Sequence, residues 1–502
     1  MMSRLMALLG ALALLSAPAL GDEADDAQRL FDRMVTAMDA GDSELAWRTS
    51  LILLEHEDLN QLPTFLLAEV YGAAGVAAFF YDGDQMDRAE AAALERFDEA
   101  VRLGVRNPVV FLFRGLLHAS RERAEPAARD ILQAEQLMPG IANDLRTDMI
   151  GPILFGLRQD GLEPLHAEFV AHFYANWRPA HPMDLRDGII VEAARVALRA
   201  GDLQGARDRV GELSQAGALE IVQTHREFDA LWIEPGPELQ ARLREATQGE
   251  AERYAALAEA HRDHIEPRLM QADAHARLGD YEAAYALALE THAQALDGAF
   301  PADTQEQFGM LLANLASYEL GLGRLDDALE RLRRASTISE YGVDNVTQRL
   351  SLAGLLVAAA RPEEALEVIE GYEALTLTSH GEGAALSTRA CALHQLGDHQ
   401  GRDRDVEALR EDFASRAGAL QFVYACLDDR DAAAALLIER LADPRQRLVA
   451  LDELIERDSV ASEYEGPLDA MFDAHDEALL ARPEVQAAIA EAGRVIKPGT
   501  YY

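Results

Sequence analysis

The stretch Leu278-Gly279-Asp280-Tyr281-Glu282-Ala283-Ala284 decides the fold of this 502-residue chain. It lies between two amphipathic stretches. Glycine can end a helix in the left-handed conformation without steric cost, and aspartate is a preferred cap at the start of the next helix. The stretch therefore predicts a tight turn between two helices that form a hairpin.

The same turn signal recurs along the chain. Gly-Asp also stands at Gly41-Asp42, Gly201-Asp202 and Gly397-Asp398, and glycine stands in a similar setting at Gly161 and Gly323. The distance is 40 residues from Gly161 to Gly201 and 44 residues from Gly279 to Gly323. A period of this size is typical of a solenoid, in which each helical hairpin packs only on its neighbours.

Small residues recur at fixed distances from the turn glycine, where the two helices of a hairpin cross closely. Five residues after the glycine stand Ala46, Ala206, Ala284 and Ala328, and seven residues before it stand Ala194, Ala272, Ala316 and Ala390. This signature resembles the tetratricopeptide repeat (TPR) family, whose unit is about 34 residues long. His166 and Arg402 occupy the small-residue position in their hairpins, which departs from the family pattern.

The resemblance implies an all-α fold, a right-handed α-solenoid of about eleven TPR-like hairpins over most of residues 26–445. A hairpin without a turn glycine keeps the second-helix pattern over residues 127–139, and weaker hairpins are expected around residues 84–100, 161–173, 249–261, 360–372 and 429–441. Helices near residues 446–457, 464–480 and 483–493 are expected to cap the open end of the stack. Because Pro235-Gly236-Pro237 cannot continue a helix, we predict two lobes, residues 22–234 and 238–502.

The N-terminus is typical of a secretory signal peptide. Arg4 precedes an apolar run over residues 5–15, and Ala19-Leu20-Gly21 places small residues where a signal peptidase cuts. We predict a signal peptide over residues 1–21 and a periplasmic or secreted location. The apolar run is too short to span a bilayer, and no cysteine near the cleavage point provides a lipid anchor.

The net charge of the chain limits the classes of molecule that it can bind. Its 87 acidic and 46 basic residues give a formal net charge of −41. Nucleic acid and anionic lipid surfaces would be repelled, so we expect neither as a partner. The two cysteines, Cys391 and Cys426, fall on the first helices of successive predicted hairpins. An exported protein could bridge them, and two buried free thiols are the alternative.

Other residues suggest chemistry only weakly. The apolar stretch over residues 63–81 contains Glu69, which favours a buried helix over a membrane span. His261 and His264 could share a metal, but a polar helix end before Pro267 is the simpler interpretation. The sequence contains no catalytic motif, and we expect no enzyme activity, no cofactor and no metal.

The concave face of the predicted solenoid is the candidate binding surface. In TPR-like stacks the exposed groove positions lie six, three and two residues before the turn. This spacing selects Arg195, Arg199, Asp273, Arg277, Ser317 and His394. Arg195 and Arg199 lie one helical turn apart and could receive a partner's carboxylate, or could form ion pairs with neighbouring acidic residues. The lysine and asparagine that chaperone-binding members of the family use are absent from these positions.

The sequence therefore predicts an exported interaction scaffold that binds a protein or peptide through the concave face. Two alternatives stay open. An α/α-toroid hydrolase or lyase acting on polysaccharide would need a cleft with aromatic residues, but Trp47, Trp177 and Trp232 are scattered. A purely structural spacer would have a smooth charged face without an exposed apolar patch.

Overall fold

The computed structural model of the chain describes residues 24–83, 85–181, 183–339, 345–372, 377–456, 464 and 466–496. The predicted signal peptide, residues 1–21, and the tail from Lys497 to Tyr502 lie outside the described residues. Across the described ranges the chain forms α-helices and three short 3-10 helices, and no β-strand. The prediction of an all-α solenoid of helical hairpins is confirmed.

The contacts divide the described residues into two compact units, the first ending at Val196 and the second beginning at Ala197. The helices of the first unit are α1 (Ala24–Asp39), α2 (Ser43–Leu54), α3 (Thr64–Phe79), α4 (Met86–Arg102), α5 (Pro108–Ser120), α6 (Ala124–Leu137), α7 (Thr147–Gln159) and α8 (Glu163–Asn176). Helix α9 (Asp187–Arg199) crosses the division between the units.

The second unit contains the remaining helices. They are α10 (Leu203–Val210), α11 (Ala216–Thr224), α12 (Pro237–Ala260), α13 (Glu266–Arg277), α14 (Tyr281–Leu296), α15 (Thr304–Gly321), α16 (Leu325–Ala335), α17 (Val346–Ala358), α18 (Pro362–Val368), α19 (Ser379–Gln395), α20 (His399–Glu411), α21 (Phe413–Cys426), α22 (Arg430–Ala442), α23 (Arg447–Glu456), α24 (Asp469–Leu480) and α25 (Pro483–Ala492). The Pro235-Gly236-Pro237 break lies inside this unit, between the 3-10 helix Arg226–Leu231 and α12.

Residues with positive φ mark the hairpin turns. In the described residues these turns lie at Gly41, Glu122, Gly161, Gly201, Gly279, Gly323, Ala360, Gly397 and Asp428. An aspartate after the turn accepts a hydrogen bond of 2.8–3.1 Å from the N–H three residues further on at Asp42, Asp202, Asp280, Asp398 and Asp429. The predicted combination of a left-handed turn residue and an aspartate cap is therefore present.

The position five residues after most of these turns lies at the crossing of the two helices, while Arg402, five residues after Gly397, is only partly buried. At this position Ala46, Ala127, Ala206, Ala284, Ala328, Ala365 and Ala433 are 0–1% exposed. His166 takes the same position in the α7–α8 hairpin and is also fully buried. These burials confirm the register that the turn glycines predict.

Three of these turns use a residue other than glycine. Glu122, Ala360 and Asp428 have φ values of 56°, 54° and 50°. The left-handed conformation costs a non-glycine residue about 1–2 kcal/mol, which the packing of the two helices outweighs. The repeat of helical hairpins therefore continues at positions where the sequence has no turn glycine.

The hairpin expected around residues 249–261 does not form. Helix α12 instead runs without interruption through Gly249. A glycine inside a helix costs about 1 kcal/mol relative to alanine. Its neighbours Ala246, Glu250 and Ala251 are good helix formers, and α12 packs along α13, so the helix continues.

The apolar stretch over residues 63–81 forms α3, a buried helix. Its residues from Gly72 to Ala78 are all buried among neighbouring helices. None of the helices in the described ranges is long and apolar enough to cross a membrane.

The C-terminal helices contact both the last hairpin and the start of the second unit. Helix α25 packs on α22 and on the 3-10 helix Arg226–Leu231. The N–H of Arg494 donates to the carbonyl of Thr224 at 2.8 Å, and His225 pairs with Gly493 in an isolated β-bridge. These helices thus cover the last hairpin, as predicted, and also join the end of the second unit to its beginning.

Cys391 and Cys426 form a disulfide, with their Cα atoms 5.8 Å apart. Cys391 lies on α19 and Cys426 on α21, the first helices of successive hairpins. Of the two alternatives that the sequence leaves open, the structure therefore contains the bridge.

Candidate functional site

Arg195, the first predicted groove residue, lies in a buried ionic cluster instead of on an open surface. It is 2% exposed and pairs with Glu192 on the same helix. Glu192 also lies 3.0 Å from His166 Nε2 and 3.6 Å from Arg158 Nη1. Burial opposes ionisation of Glu192, but the charges of Arg195 and Arg158 and the hydrogen bond with His166 outweigh it and lower the pKa of Glu192 to about 2. The ion-pair interpretation of Arg195 is the one that the structure supports, and its predicted exposure is wrong.

Arg277 is likewise engaged by carboxylates. It donates to Glu250, which is 1% exposed, and its Nε lies 3.6 Å from Asp273 Oδ2. Burial raises the pKa of Asp273. Asp273 and Arg277 are therefore brought together, as their spacing on α13 predicts, but the arginine charge is already balanced.

The other three predicted residues have partners other than this pair. Exposed Arg199 has its Nη2 3.9 Å from Glu227 Oε2. Ser317, on α15, donates to the carbonyl of Ala313 at 3.2 Å. His394, on α19, has its Nδ1 3.4 Å from Arg402 Nη1. Each bonds locally, and their role in partner binding stays a prediction.

A pocket of about 430 Å³ opens in the first unit. Its walls come from the first helices of three successive hairpins, α3, α5 and α7, and from the region at the start of α4. The lining residues are Ala78, Phe79, Tyr81, Met86, Glu90, Leu116, Leu117, Ala119, Ser120, Asp148, Met149 and Pro152. The lining is mainly apolar, and this volume lies in the range that ligand pockets usually have, roughly 300–1,000 Å³.

The pocket lies on the face that the groove rule selects. Leu116, Ala119 and Ser120 stand six, three and two residues before the turn residue Glu122. The sequence analysis missed this hairpin's groove positions because its turn has no glycine. The small residues Gly115 and Ala127, seven before and five after Glu122, would have located the turn.

The close helix crossing at Gly115 holds this wall in place. A Cβ atom on Gly115 would lie 2.9 Å from Ile131 Cγ1 and 3.1 Å from the carbonyl oxygen of Ala127. A larger residue would therefore push α5 and α6 apart. Glycine here serves the close approach of two helices and keeps Leu116 in position.

The mouth of the pocket combines exposed apolar side chains with carboxylates. Met86 is 59% exposed and Met149 is 38% exposed. Glu90 and Asp148 are the only charged residues among those that line it. Glu90 Oε1 lies 3.3 Å from Arg121 Nε, and Asp148 Oδ1 lies 3.9 Å from Arg146 Nε. Both carboxylates therefore have an arginine partner, and the lining is suited to an apolar group.

The residues considered for metal binding and for an aromatic cleft have local partners. His264 Nδ1 lies 3.0 Å from Asp263 Oδ1, and the described residues contain no group of three or more His, Cys, Asp or Glu that could hold a metal ion. Trp47 and Trp177 are each 2% exposed and pack in the core of the first unit. Trp232, in the second unit, has the guanidinium groups of Arg226 and Arg494 within 5.8 Å and 4.5 Å of its ring centroid.

Comparison with known proteins finds similar solved structures, but only at low scores. No family model matches the chain, and no curated protein is significantly similar to it in sequence. Among solved structures, the Cut9–Hcn1 hetero-tetramer of the APC/C is 14% identical, with a TM-score of 0.29 over 97% of this chain and 98% of that one. The human IFIT1 dimer with m7Gppp-AAAA is 14% identical, with a TM-score of 0.33 over 82% and 93%.

The TPR domain of P58(IPK) is 15% identical, with a TM-score of 0.20 over 80% of this chain and 99% of that one. These neighbours are TPR-repeat proteins, as the sequence signature predicts. All three TM-scores are below 0.5, so these likenesses carry no argument about this chain.

Proposed function

We propose that this protein is an exported scaffold that binds a protein or peptide partner through the first-helix face of its first unit. The observation that carries the proposal is the position of the apolar pocket. Leu116, Ala119 and Ser120 line it, and they stand at the groove spacing before Glu122. An open apolar surface on a repeat scaffold is a typical protein-interaction site.

Two observations support export. The first is the signal sequence predicted over residues 1–21. The second is the Cys391–Cys426 disulfide, since structural disulfides persist mainly in oxidising compartments such as the periplasm and the cell exterior. The net charge of −41 favours a partner that is not nucleic acid.

Affinity capture tests this function. The mature chain is immobilised and incubated with an envelope extract, and retained proteins are identified by mass spectrometry. The pocket variant Met149→Asp is compared with Leu296→Asp, which places a charge on an exposed leucine of α14 in the second unit (59% exposed).

We expect a partner that the wild type and Leu296→Asp retain and that Met149→Asp loses. Equal retention by all three chains would place the binding surface elsewhere. No specifically retained protein would count against the scaffold function itself.

A further inference from the structure

In the second unit, one helix of the chain packs against the first helix of a hairpin, as a partner's helix could do elsewhere. Helix α24 packs on α21 and α22. The ring of Phe472 on α24 stacks on Phe422 of α21, with centroids 5.9 Å apart. Phe472 also packs against the apolar cluster that contains Cys391 and Cys426.

A polar contact accompanies the stacked rings. His475, one helical turn after Phe472, is fully buried, and its Nδ1 lies 3.2 Å from Asp428 Oδ1. Asp428 is the left-handed turn residue of the α21–α22 hairpin. Helix α24 thus recognises the hairpin with an aromatic side chain and a basic side chain three residues later.

The α5–α6 hairpin of the first unit has the same two positions. Leu116 stands six residues before the turn residue Glu122, just as Phe422 stands six residues before Asp428. Both turn residues are acidic and have positive φ. Leu116 lines the open pocket, whereas Phe422 is covered by Phe472.

The acidic turn residue of the first unit is available for a partner. Glu122 is exposed and has no ion pair within the described part of the chain. Glu90 and Asp148 are paired with Arg121 and Arg146, so Glu122, together with the net charge of −41, is what would attract a bound segment with positive charge. Helix α24 itself carries Asp473, Asp476 and Glu477, so its own sequence is poorly matched to the first unit.

From this equivalence we propose that the pocket of the first unit binds an amphipathic helix of a partner protein with a net positive charge. An aromatic or large aliphatic side chain contacts Leu116, and a Lys, Arg or His three residues later contacts Glu122. This inference rests on the proposed function and specifies the chemistry of the partner.

Three labelled peptides test the inference by fluorescence anisotropy with the full chain. The first has the sequence of residues 469–480 with Asp473, Asp476 and Glu477 replaced by lysine. The second also has Phe472 replaced by serine, and the third is the unmodified acidic sequence. We expect the first peptide to bind at least about tenfold more tightly than either of the others, because it alone combines the apolar anchor with positive charge.

Variants of the protein locate the binding. Met149→Asp should weaken binding of the first peptide at least about tenfold by placing a carboxylate in the apolar pocket. Glu122→Gln should weaken it about threefold at low salt and much less at high salt, because the lost interaction is a surface ion pair. Leu296→Asp is the matched control and should bind as the wild type does, and circular dichroism checks that each variant is folded.

Several results would overturn the inference. They are equal binding of the phenylalanine and serine peptides, equal binding of the acidic peptide, and unchanged binding by folded Met149→Asp. Binding would also be unchanged in Met149→Asp if the peptide replaced α24 in the second unit instead of binding to the pocket of the first unit. The two proposals can fail separately. If a partner is captured from extract by the wild type and not by Met149→Asp, but the three peptides bind equally, this inference is wrong and the proposed scaffold function is still supported.

Discussion

Arg494 stacks on Trp232, with its guanidinium carbon 4.5 Å from the centroid of the indole ring. The same side chain donates to the carbonyl of Gln223 at 2.5 Å, to Gln223 Oε1 at 2.9 Å and to the carbonyl of Ile233 at 2.8 Å. One arginine near the C-terminus therefore fastens the end of the second unit to its beginning, 271 residues earlier in sequence at Gln223.

Replacing this arginine should loosen the junction. We expect Arg494→Ala to lower the free energy of unfolding of the second unit by about 2–4 kcal/mol, since it removes a cation–π contact and three hydrogen bonds. Urea unfolding measures the change, and hydrogen exchange should accelerate over residues 216–233. Arg226 lies 5.8 Å from the same ring and its side chain is 56% exposed, so Arg226→Ala is the control, with an expected loss under about 1 kcal/mol. Equal losses in both variants would contradict the role of Arg494.

The turn at Ala360 offers a stabilising substitution. Because Ala360 has a φ of 54°, Ala360→Gly should raise the free energy of unfolding by about 1 kcal/mol. The adjacent Ala359 has a φ of −79°, so Ala359→Gly gains no such relief and should be destabilising by about 0.5–1 kcal/mol. Opposite signs in urea unfolding support the left-handed turn, and a destabilised Ala360→Gly protein would argue against it.

The buried cluster at Glu192 predicts a pH dependence. Its pKa is about 2 in the folded protein, below the ordinary value of 4.5, so its ionised form stabilises the fold. This contribution is fully present above pH 4.5 and is lost as the pH falls towards 2, with a total on the order of 3 kcal/mol.

The variant Glu192→Gln isolates that contribution. The difference in unfolding free energy between wild type and variant should shrink as the pH falls from 5 to 2, because the wild-type carboxylate becomes protonated and neutral like the amide. Parallel stability curves over this range would show that Glu192 is not the group responsible.

The disulfide should be a measurable part of the stability of the second unit. It closes a segment with a sequence separation of 35 residues, for which chain entropy predicts about 3–4 kcal/mol. Dithiothreitol should lower the melting temperature of the wild type and leave that of the Cys391→Ala/Cys426→Ala double variant unchanged. Two free thiols in protein isolated from cells under conditions that block thiol exchange would contradict the bridge in the cell.

The repeat could be predicted from sequence because its signals are local. Glycine followed by aspartate fixes a turn within a few residues, and the alanine five residues on reports the helix crossing. The turn at Glu122 lacks the glycine and the aspartate, and of these signals only Ala127, five residues later, marks it, since nothing in the residue type of Glu122 indicates a left-handed conformation that surrounding packing imposes. Gly249 shows the converse, because its helical neighbours keep it inside α12.

The site was harder to predict for a physical reason. Spacing from the turn selects a face of a helix, but exposure depends on which side chains lie opposite. Arg195 has the correct spacing and is nevertheless buried with Glu192 and His166. Leu116 and Ser120 have the same spacing in a hairpin whose first-helix surface remains open. Only the tertiary arrangement distinguishes these two cases.

The junction between Arg494 and Trp232 also constrains how the second unit can evolve. A linear array of repeats can gain or lose one hairpin by duplication or deletion, because each hairpin touches only its neighbours. Here an added hairpin would move Arg494 away from Trp232 and break the antiparallel pairing of His225 with Gly493. We therefore expect homologues to vary in repeat number within the first unit while the second unit keeps a fixed count.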